Sequence, residues 1–204
     1  FTICSRSWAE DKYIESSDLV KRDNLYYEKF TDVPYSGNVK GKKKGKLVNG
    51  IIDGEWKVYY DKYSTRLEMK VFYVNGIREG ETLLFHPNGQ LAGRMNRKND
   101  LAHGEMVIYY ENGELSSKGN YINGEEDGEY IKHHDNGKLN IKAFYINGKL
   151  DGEYMKYHED GKLNIKAFYI NGKLDGEHFM YGDNGLLIEK RIYKNDEVLE
   201  IMKE

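Results

Sequence analysis

Short apolar runs and turn dipeptides alternate along this chain, and the alternation repeats. The runs are rich in Tyr, Ile, Phe, Leu and Val, and Asn-Gly and Asp-Gly pairs bound them. Such residues suit a pleated strand, and these pairs supply the positive φ that tight hairpins need. The runs are too short for amphipathic helices. The pattern therefore predicts an all-β chain built from antiparallel β-hairpins.

A fixed period orders the hairpins. Residues 137–153 and residues 161–177 both read GKLNIKAFYINGKLDGE, which is an offset of 24 residues. A Gly-Glu marker recurs at the same spacing from Gly80 to Gly176, whereas Gly54 lies 26 residues before Gly80 because two extra residues fall near 61–65. A period of this length is the signature of a repeat array. We predict an elongated, twisted sheet with a 24-residue repeat.

The loop in each hairpin predicts which residues face each other. Residues 86–90 read HPNGQ, which is typical of a type I turn followed by a left-handed glycine and so of a three-residue loop. Loop length sets the register of a hairpin. Applied to the hairpin around Gly161, this loop predicts four cross-strand pairs: His158–Lys162, Tyr157–Leu163, Met155–Ile165 and Glu153–Ala167.

The ends of the chain depart from the period. Residues 1–9 read FTICSRSWA, which is typical of the tail of a secretory signal cleaved after Ala9 and predicts an exported protein. If these residues are retained, the alternative is a cytoplasmic protein. Residues 10–29 are predicted to be a capping segment with a hairpin around Asp23 and Asn24, residues 30–199 the repeat domain, and residues 200–204 a tail. The lysines at 42–44 are interpreted as an exposed turn.

Composition excludes some classes of function. Hydrophobic residues make up 39% of the 204, and 18 tyrosines carry much of the apolar area. A thin sheet with water near both faces would have such a composition. The net charge is −3 with both signs interleaved, which argues against a nucleic-acid partner and makes a membrane surface an unfavourable one.

No catalytic or metal-binding pattern stands out. There is no nucleophile motif and no phosphate-binding glycine loop, so we expect no enzyme, no cofactor and no metal. His86, His134 and His158 share one column, but neighbouring copies would lie roughly 10 Å apart, which is too far to share one zinc ion. The Asp-Gly-Glu steps lack the ligand spacing of a calcium loop and are predicted to be solvated turn charges paired with Lys149 or Lys173.

The repeat resembles a known family. The carrying residues are Asn136-Gly137-Lys138-Leu139 and the run from Tyr145 through Asn147-Gly148-Lys149 to Asp151-Gly152-Glu153, together with their copies. These are similar to the variant MORN repeat, and to the bacterial antitoxin family of toxin–antitoxin systems that is built from it. The resemblance covers about residues 18–199. It implies hairpins laid side by side and a protein-binding or membrane-associated role without catalysis.

Two columns of aromatic residues are the best functional lead. A cross-strand packing ladder is one interpretation, and a partly exposed partner surface is the other, because tyrosine suits interfaces. The candidate protein-binding residues are Tyr59, Phe85, Tyr109, Tyr157 and Tyr181 in one column and Tyr121, Tyr145, Tyr169 and Tyr193 in the other.

These observations favour one function over two others. We expect a non-enzymatic, exported scaffold that binds another protein, such as an envelope protein, through an extended β surface. The alternative is an antitoxin or immunity protein that neutralises a cognate toxin. Binding to a lipid surface follows only from the family resemblance, and the balanced charge argues against it.

Overall fold

The computed structural model describes residues 12–203, and its regular elements there are β-strands and one short 3-10 turn at Ser16–Asp18. The predicted signal-peptide tail and Cys4 lie outside the described residues. Two compact units divide the chain, at residues 1–79 and 80–204. The predicted all-β array of antiparallel hairpins is confirmed.

The first unit contains two sheets. Strands β1, β4, β5, β6, β7 and β8 belong to the larger sheet; β1 runs parallel to β4, and the other pairs are antiparallel. Strands β2 and β3 form a separate hairpin, whose turn at Asp23 and Asn24 has positive φ at both residues. The bounds are β1 Tyr13–Glu15, β2 Leu19–Arg22, β3 Leu25–Glu28, β4 Gly37–Lys40, β5 Lys43–Val48, β6 Ile51–Ile52, β7 Gly54–Tyr59 and β8 Leu67–Val74.

A two-layer core fills the first unit. Ile14, Tyr35, Val39, Leu47 and Trp56 are buried against one another, and Leu47 has no exposed surface. The β2–β3 hairpin supplies part of the cover, since partly buried Leu19 and Tyr26 pack on this cluster. The ring centroids of Tyr26 and Trp56 are 6.3 Å apart.

In the second unit the strands pair one after another in a long, twisted antiparallel sheet. The boundary between the units falls within β9. The bounds are β9 Ile77–Phe85, β10 Leu91–Lys98, β11 Leu101–Tyr109, β12 Leu115–Ile122, β13 Glu125–Glu126, β14 Gly128–His133, β15 Leu139–Ile146, β16 Lys149–Leu150, β17 Gly152–Tyr157, β18 Leu163–Ile170, β19 Lys173–Tyr181, β20 Leu187–Lys194 and β21 Glu197–Lys203.

The turns have the chemistry that their residues predict. Asn147 and Gly148 have φ of 49° and 73°, which is the double positive φ of a tight hairpin turn. The loop that follows β17 is of another kind. There the N–H of Gly161 donates to the carbonyl of His158 at 2.9 Å, and the N–H of His158 donates to the carbonyl of Lys162 at 2.9 Å. The three-residue loop predicted there is therefore confirmed.

The predicted register is correct only next to this loop. Tyr157 faces Leu163 as predicted, but Asn164 is an extra residue that forms a β-bulge. Beyond the bulge, Met155 faces Lys166 and not Ile165, and Ala167 faces Tyr154 and not Glu153. One extra residue moves every later side chain of the strand to the other face, so the two pairs predicted beyond the bulge are wrong.

Small residues make the core of the second unit. Ala143 and Ala167 are each only 2% exposed, and the column that contains them also contains Gly119. Aromatic rings lie over these positions: a Cβ added at Gly119 would lie 3.1 Å from Cδ2 of Tyr130. Residues 80–203 form no second sheet, so the rings that face these small residues exclude the water that a second layer would otherwise exclude.

Candidate protein-binding surface

Strand alternation divides the sheet of the second unit into two faces. Tyr130 faces Ala143 and Tyr154 faces Ala167, and we call the side that carries them the tyrosine face. Glu129 faces Phe144 and Glu153 faces Phe168 on the opposite side, which we call the ladder face. The same two sides recur in each 24-residue repeat because the cross-strand register is repeated.

The tyrosine face is packed by aromatic contacts. Tyr130 meets Tyr145 edge-on with ring centroids 6.1 Å apart, and Tyr154 meets Tyr169 in the same way at 5.9 Å. Burial raises the pKa of the hydroxyl groups of Tyr145 and Tyr169. Burial and the nearby Glu126 carboxylate raise the pKa of Tyr121 to about 12. These rings therefore serve mainly to hold the sheet together.

Ion pairs run across the ladder face. Each joins a glutamate on the first strand of a hairpin to a lysine on the second strand, and the pairs Glu105–Lys118, Glu129–Lys142 and Glu153–Lys166 all have N–O distances of 2.7 Å. Hydrogen bonds that Lys142 and Lys166 donate to the carboxylates of Glu129 and Glu153 raise the pKa of these two lysines. The pairs are solvent-exposed, so each adds little stability, but together they give this face a regular pattern of charge.

Exposed apolar side chains lie beside the ion pairs. Phe144 and Phe168 are each 44% exposed, and Ile146 and Ile170 are exposed two residues further along each strand. Phe144 lines a shallow cavity of about 270 Å³ with Met155, and Phe168 lines one of about 310 Å³ with Phe179. A row of aromatic and aliphatic side chains beside shallow depressions is the composition expected of a protein contact surface.

The structure does not bring the predicted aromatic residues onto one surface. The tyrosines that come two positions after the column of Gly119, Ala143 and Ala167 lie on the tyrosine face. The aromatic residues that end the first strand of each hairpin lie on the ladder face. Tyr59 belongs to the first unit, where Lys44 Nζ lies 4.5 Å from its ring centroid. All nine are partly buried. The first group is Tyr121, Tyr145, Tyr169 and Tyr193, and the second is Phe85, Tyr109, Tyr157 and Tyr181. Their role in binding stays a prediction.

Sequence reasoning missed the phenylalanines. Phe144 and Phe168 each precede a predicted tyrosine, and adjacent residues of a strand point to opposite faces. Because Tyr145 and Tyr169 are packed, the phenylalanine beside each is exposed. The duplicated Phe-Tyr step showed that the two side chains point to opposite faces. To predict that the phenylalanine is the exposed one, it was necessary to know which face is covered.

The histidine column joins neighbouring repeats. Nε2 of His86 lies 3.0 Å from the carbonyl oxygen of Tyr109, and Nε2 of His134 lies 3.0 Å from that of Tyr157. Each imidazole is thus engaged with the backbone of the next repeat. Between residues 12 and 203 no group of three or more His, Cys, Asp or Glu side chains is placed to hold a metal ion.

The aspartates of the Asp-Gly-Glu steps have a similar role. Oδ2 of Asp151 accepts a hydrogen bond from the N–H of Asn171 at 2.9 Å, and Oδ2 of Asp127 accepts one from the N–H of Asn147 at 3.3 Å. The expected pairing of these carboxylates with Lys149 or Lys173 is therefore wrong. Each carboxylate instead accepts a hydrogen bond from the hairpin turn of the next repeat, which satisfies a backbone N–H group in that turn.

The fold and this surface define a class: a β-hairpin repeat protein in which successive repeats pair along one sheet and present a regular pattern of charged and apolar side chains. Four tandem segments match the MORN repeat variant, at residues 78–99, 102–123, 126–147 and 150–171. Repeats of this family are non-catalytic and are commonly protein- or membrane-binding modules. No curated protein matches the chain. Within the described range, no helix is long and apolar enough to cross a membrane.

Proposed function

We propose that this protein is a non-enzymatic scaffold that binds another protein through the ladder face of its second unit. The observation that carries the proposal is the exposed row of Phe144, Phe168, Ile146 and Ile170 beside a regular series of ion pairs. The partly buried residues of the same face, including Tyr157 and Tyr181, would form the margin of the contact.

The spacing of the row indicates how a partner would engage it. Equivalent residues of neighbouring repeats are separated by two strands, which is about 10 Å. A partner that inserts one apolar side chain per repeat would bury both phenylalanines in the centre of the contact. The surrounding Glu–Lys pairs would form a polar rim that fixes its position along the array.

Affinity capture with a matched pair of variants tests the proposal. Wild-type protein and a Phe144→Ser, Phe168→Ser variant are used as baits, and the captured proteins are quantified by mass spectrometry. The control is Leu186→Ser, because Leu186 is a 66% exposed apolar residue in a turn outside the row. We expect the double variant to lose a specific partner at least about tenfold, since central aromatic anchors dominate binding energy. The control should retain that partner.

Equal capture of the same proteins by wild type and the double variant would contradict the role of the ladder face. Circular dichroism of each bait excludes unfolding as the cause of a loss. The same experiment with Tyr121→Ser and Tyr169→Ser, on the tyrosine face, separates a loss of contact from a loss of packing, because these changes should lower thermal stability first.

We also propose that the protein is exported, on the basis of the leader-like sequence of residues 1–9. The test is the N-terminal residue and the cellular fraction of the native protein. A mature chain that begins at Glu10 in an exported fraction directs the search to envelope or extracellular partners. Retention of residues 1–9 in the cytoplasm favours the alternative partner, a toxin enzyme. Co-expression with a candidate toxin then tests that alternative, with growth rescue as the readout.

A further inference from the structure

Two irregularities of the repeat lie in the first unit, and they line the same cleft. One is the lysine run at residues 42–44, next to the β4–β5 turn, and the other is the enlarged loop between β7 and β8, where the first period is 26 and not 24 residues. Lys42 and Lys43 come from the first irregularity, and Tyr60 and Lys62 come from the second. The short 3-10 turn closes the third side, and the cleft has a volume of about 440 Å³, within the range of small-ligand sites.

Three lysines of this cleft have no ion-pair partner in the part of the chain that the structure describes. Throughout residues 12–203, no carboxylate lies within 4 Å of the Nζ of Lys42, Lys43 or Lys62. By contrast, most lysines of the ladder face are held in ion pairs. The ammonium group of Lys62 lies over the Tyr63 ring, with Nζ 4.7 Å from the centroid. The whole chain has a net charge of −3, so this concentration of unpaired positive charge is local.

The two acidic groups at the cleft are already engaged. Glu15 Oε1 lies 3.8 Å from Nζ of Lys40, outside the cleft, and its other oxygen lies against Gly41. Oδ1 of Asp61 accepts a hydrogen bond from the N–H of Tyr63 at 2.9 Å, which holds the carboxylate against its own loop. Neither carboxylate lies within ion-pair distance of the three lysines, but Asp61 keeps its negative charge and offsets part of theirs. With Glu15 counted against Lys40, the positive charge of the lining still exceeds the negative charge.

Hydroxyl groups complete the lining. Ser16 Oγ accepts a hydrogen bond from the N–H of Lys43 at 3.3 Å, and its own proton remains able to donate; Ser17 lies beside it. Several ammonium groups together with hydroxyl donors match a phosphoryl group, whose oxygens accept hydrogen bonds and carry more than one negative charge. A ligand with a single carboxylate would leave part of the excess positive charge of the lining without a partner.

We propose that this cleft, lined by Lys42, Lys43, Lys62, Ser16 and Ser17, binds a phosphoryl group. The group can come from a soluble phosphate compound or from a phosphomonoester lipid headgroup, since both present the same oxygens. The site lies apart from the repeats that match the MORN variant and is independent of the ladder face.

Calorimetric titration of the full chain with inorganic pyrophosphate at low salt tests the chemistry. The wild type should bind saturably with a stoichiometry of one. A Lys43→Gln, Lys62→Gln variant should raise the Kd at least about tenfold, because each lost ammonium removes a charge-assisted contact. Lys46→Gln is the matched control, since Lys46 is an exposed lysine of the same strand that does not line the cleft, and its Kd should change less than about twofold.

Sedimentation with vesicles distinguishes the two sources. Phosphatidylcholine vesicles that contain phosphatidic acid present a phosphomonoester, and those that contain phosphatidylserine present a phosphodiester. Lysine-dependent binding to the former alone, without pyrophosphate binding, assigns a headgroup, whereas pyrophosphate binding alone assigns a soluble ligand. Absence of both kinds of binding in the wild type overturns the proposal, as does an equal loss in Lys46→Gln. Trp56 fluorescence verifies that each variant is folded.

Discussion

The two compact units bury their apolar side chains in different ways. In the first, large residues are enclosed between two layers, and Leu47 and Trp56 are almost fully buried beneath the β2–β3 hairpin. In the second, a single sheet covers itself, and the residues with the least exposure include Ala143 and Ala167. The first unit is therefore stabilised as an ordinary globular core is, and the second by contacts between successive repeats.

This difference explains the composition. A second layer allows Ile, Leu, Val and Trp to be enclosed, whereas a one-layer sheet can only cover small residues with the rings of its neighbours. Tyrosine suits that role because its ring covers area while its hydroxyl reaches water or an acceptor, as Tyr110 does at 2.7 Å from the carbonyl of His133. Each contact that stabilises the one-layer sheet is small, but it is repeated along the array.

The largest expected effect comes from the core of the first unit. Leu47→Ala should lower the free energy of unfolding by about 2–5 kcal/mol, because it leaves a cavity in a fully enclosed site. Denaturant unfolding followed by Trp56 fluorescence measures the loss, in a Trp8→Phe background so that Trp56 is the remaining tryptophan. Val107→Ala is the counterpart in the second unit and should cost less, because it removes fewer carbon atoms and because the surroundings in a one-layer sheet can relax into the cavity. Equal losses would remove the distinction between the cores.

Alkaline pH should have an intermediate effect on the second unit. The folded-state pKa of the Tyr121 hydroxyl, about 12, is above the ordinary value of 10.0. The protein is therefore more stable when this hydroxyl is protonated. That stabilisation is fully present below pH 10.0 and is lost as the pH rises toward about 12. Thermal unfolding over this range should show a falling Tm, and Tyr121→Phe should reduce the fall. An unchanged pH profile in the variant would show that burial of Tyr121 does not contribute.

The smallest effect should be a gain. Gly119→Ala gives the repeat at residues 102–123 the alanine that the next two copies carry, and the backbone φ of Gly119 is not positive. The new Cβ would lie 3.1 Å from the Tyr130 ring, which must shift by a few tenths of an ångström. We expect about 0.4–1 kcal/mol of added stability from reduced chain entropy in the unfolded state. Hydrogen exchange of β12 amides measures it; faster exchange would indicate a rigid ring.

Local features of the fold were predictable, and the site was predictable only in part. The period, the hairpins and the Asn-Gly turns follow from residues that are adjacent in the chain, such as Asn147 and Gly148. The register beyond the loop was not predictable, because the bulge at Asn164 shifts one strand against its neighbour. The bulge brings Ala167 opposite Tyr154, where a small residue fits under a ring. The aromatic columns were recognised, but their separation onto two faces was not.

The sequence by itself determined that the chain is a β-hairpin array with a 24-residue repeat, since duplication and turn chemistry are written in consecutive residues. It also contained both irregularities of the first unit. The tertiary structure alone decided that these irregularities line one cleft, and that Phe144 and Phe168 are exposed while Tyr145 and Tyr169 are packed. The physical reason is that exposure depends on cross-strand register and on covering by neighbours, and both are properties of strands that are distant in the chain.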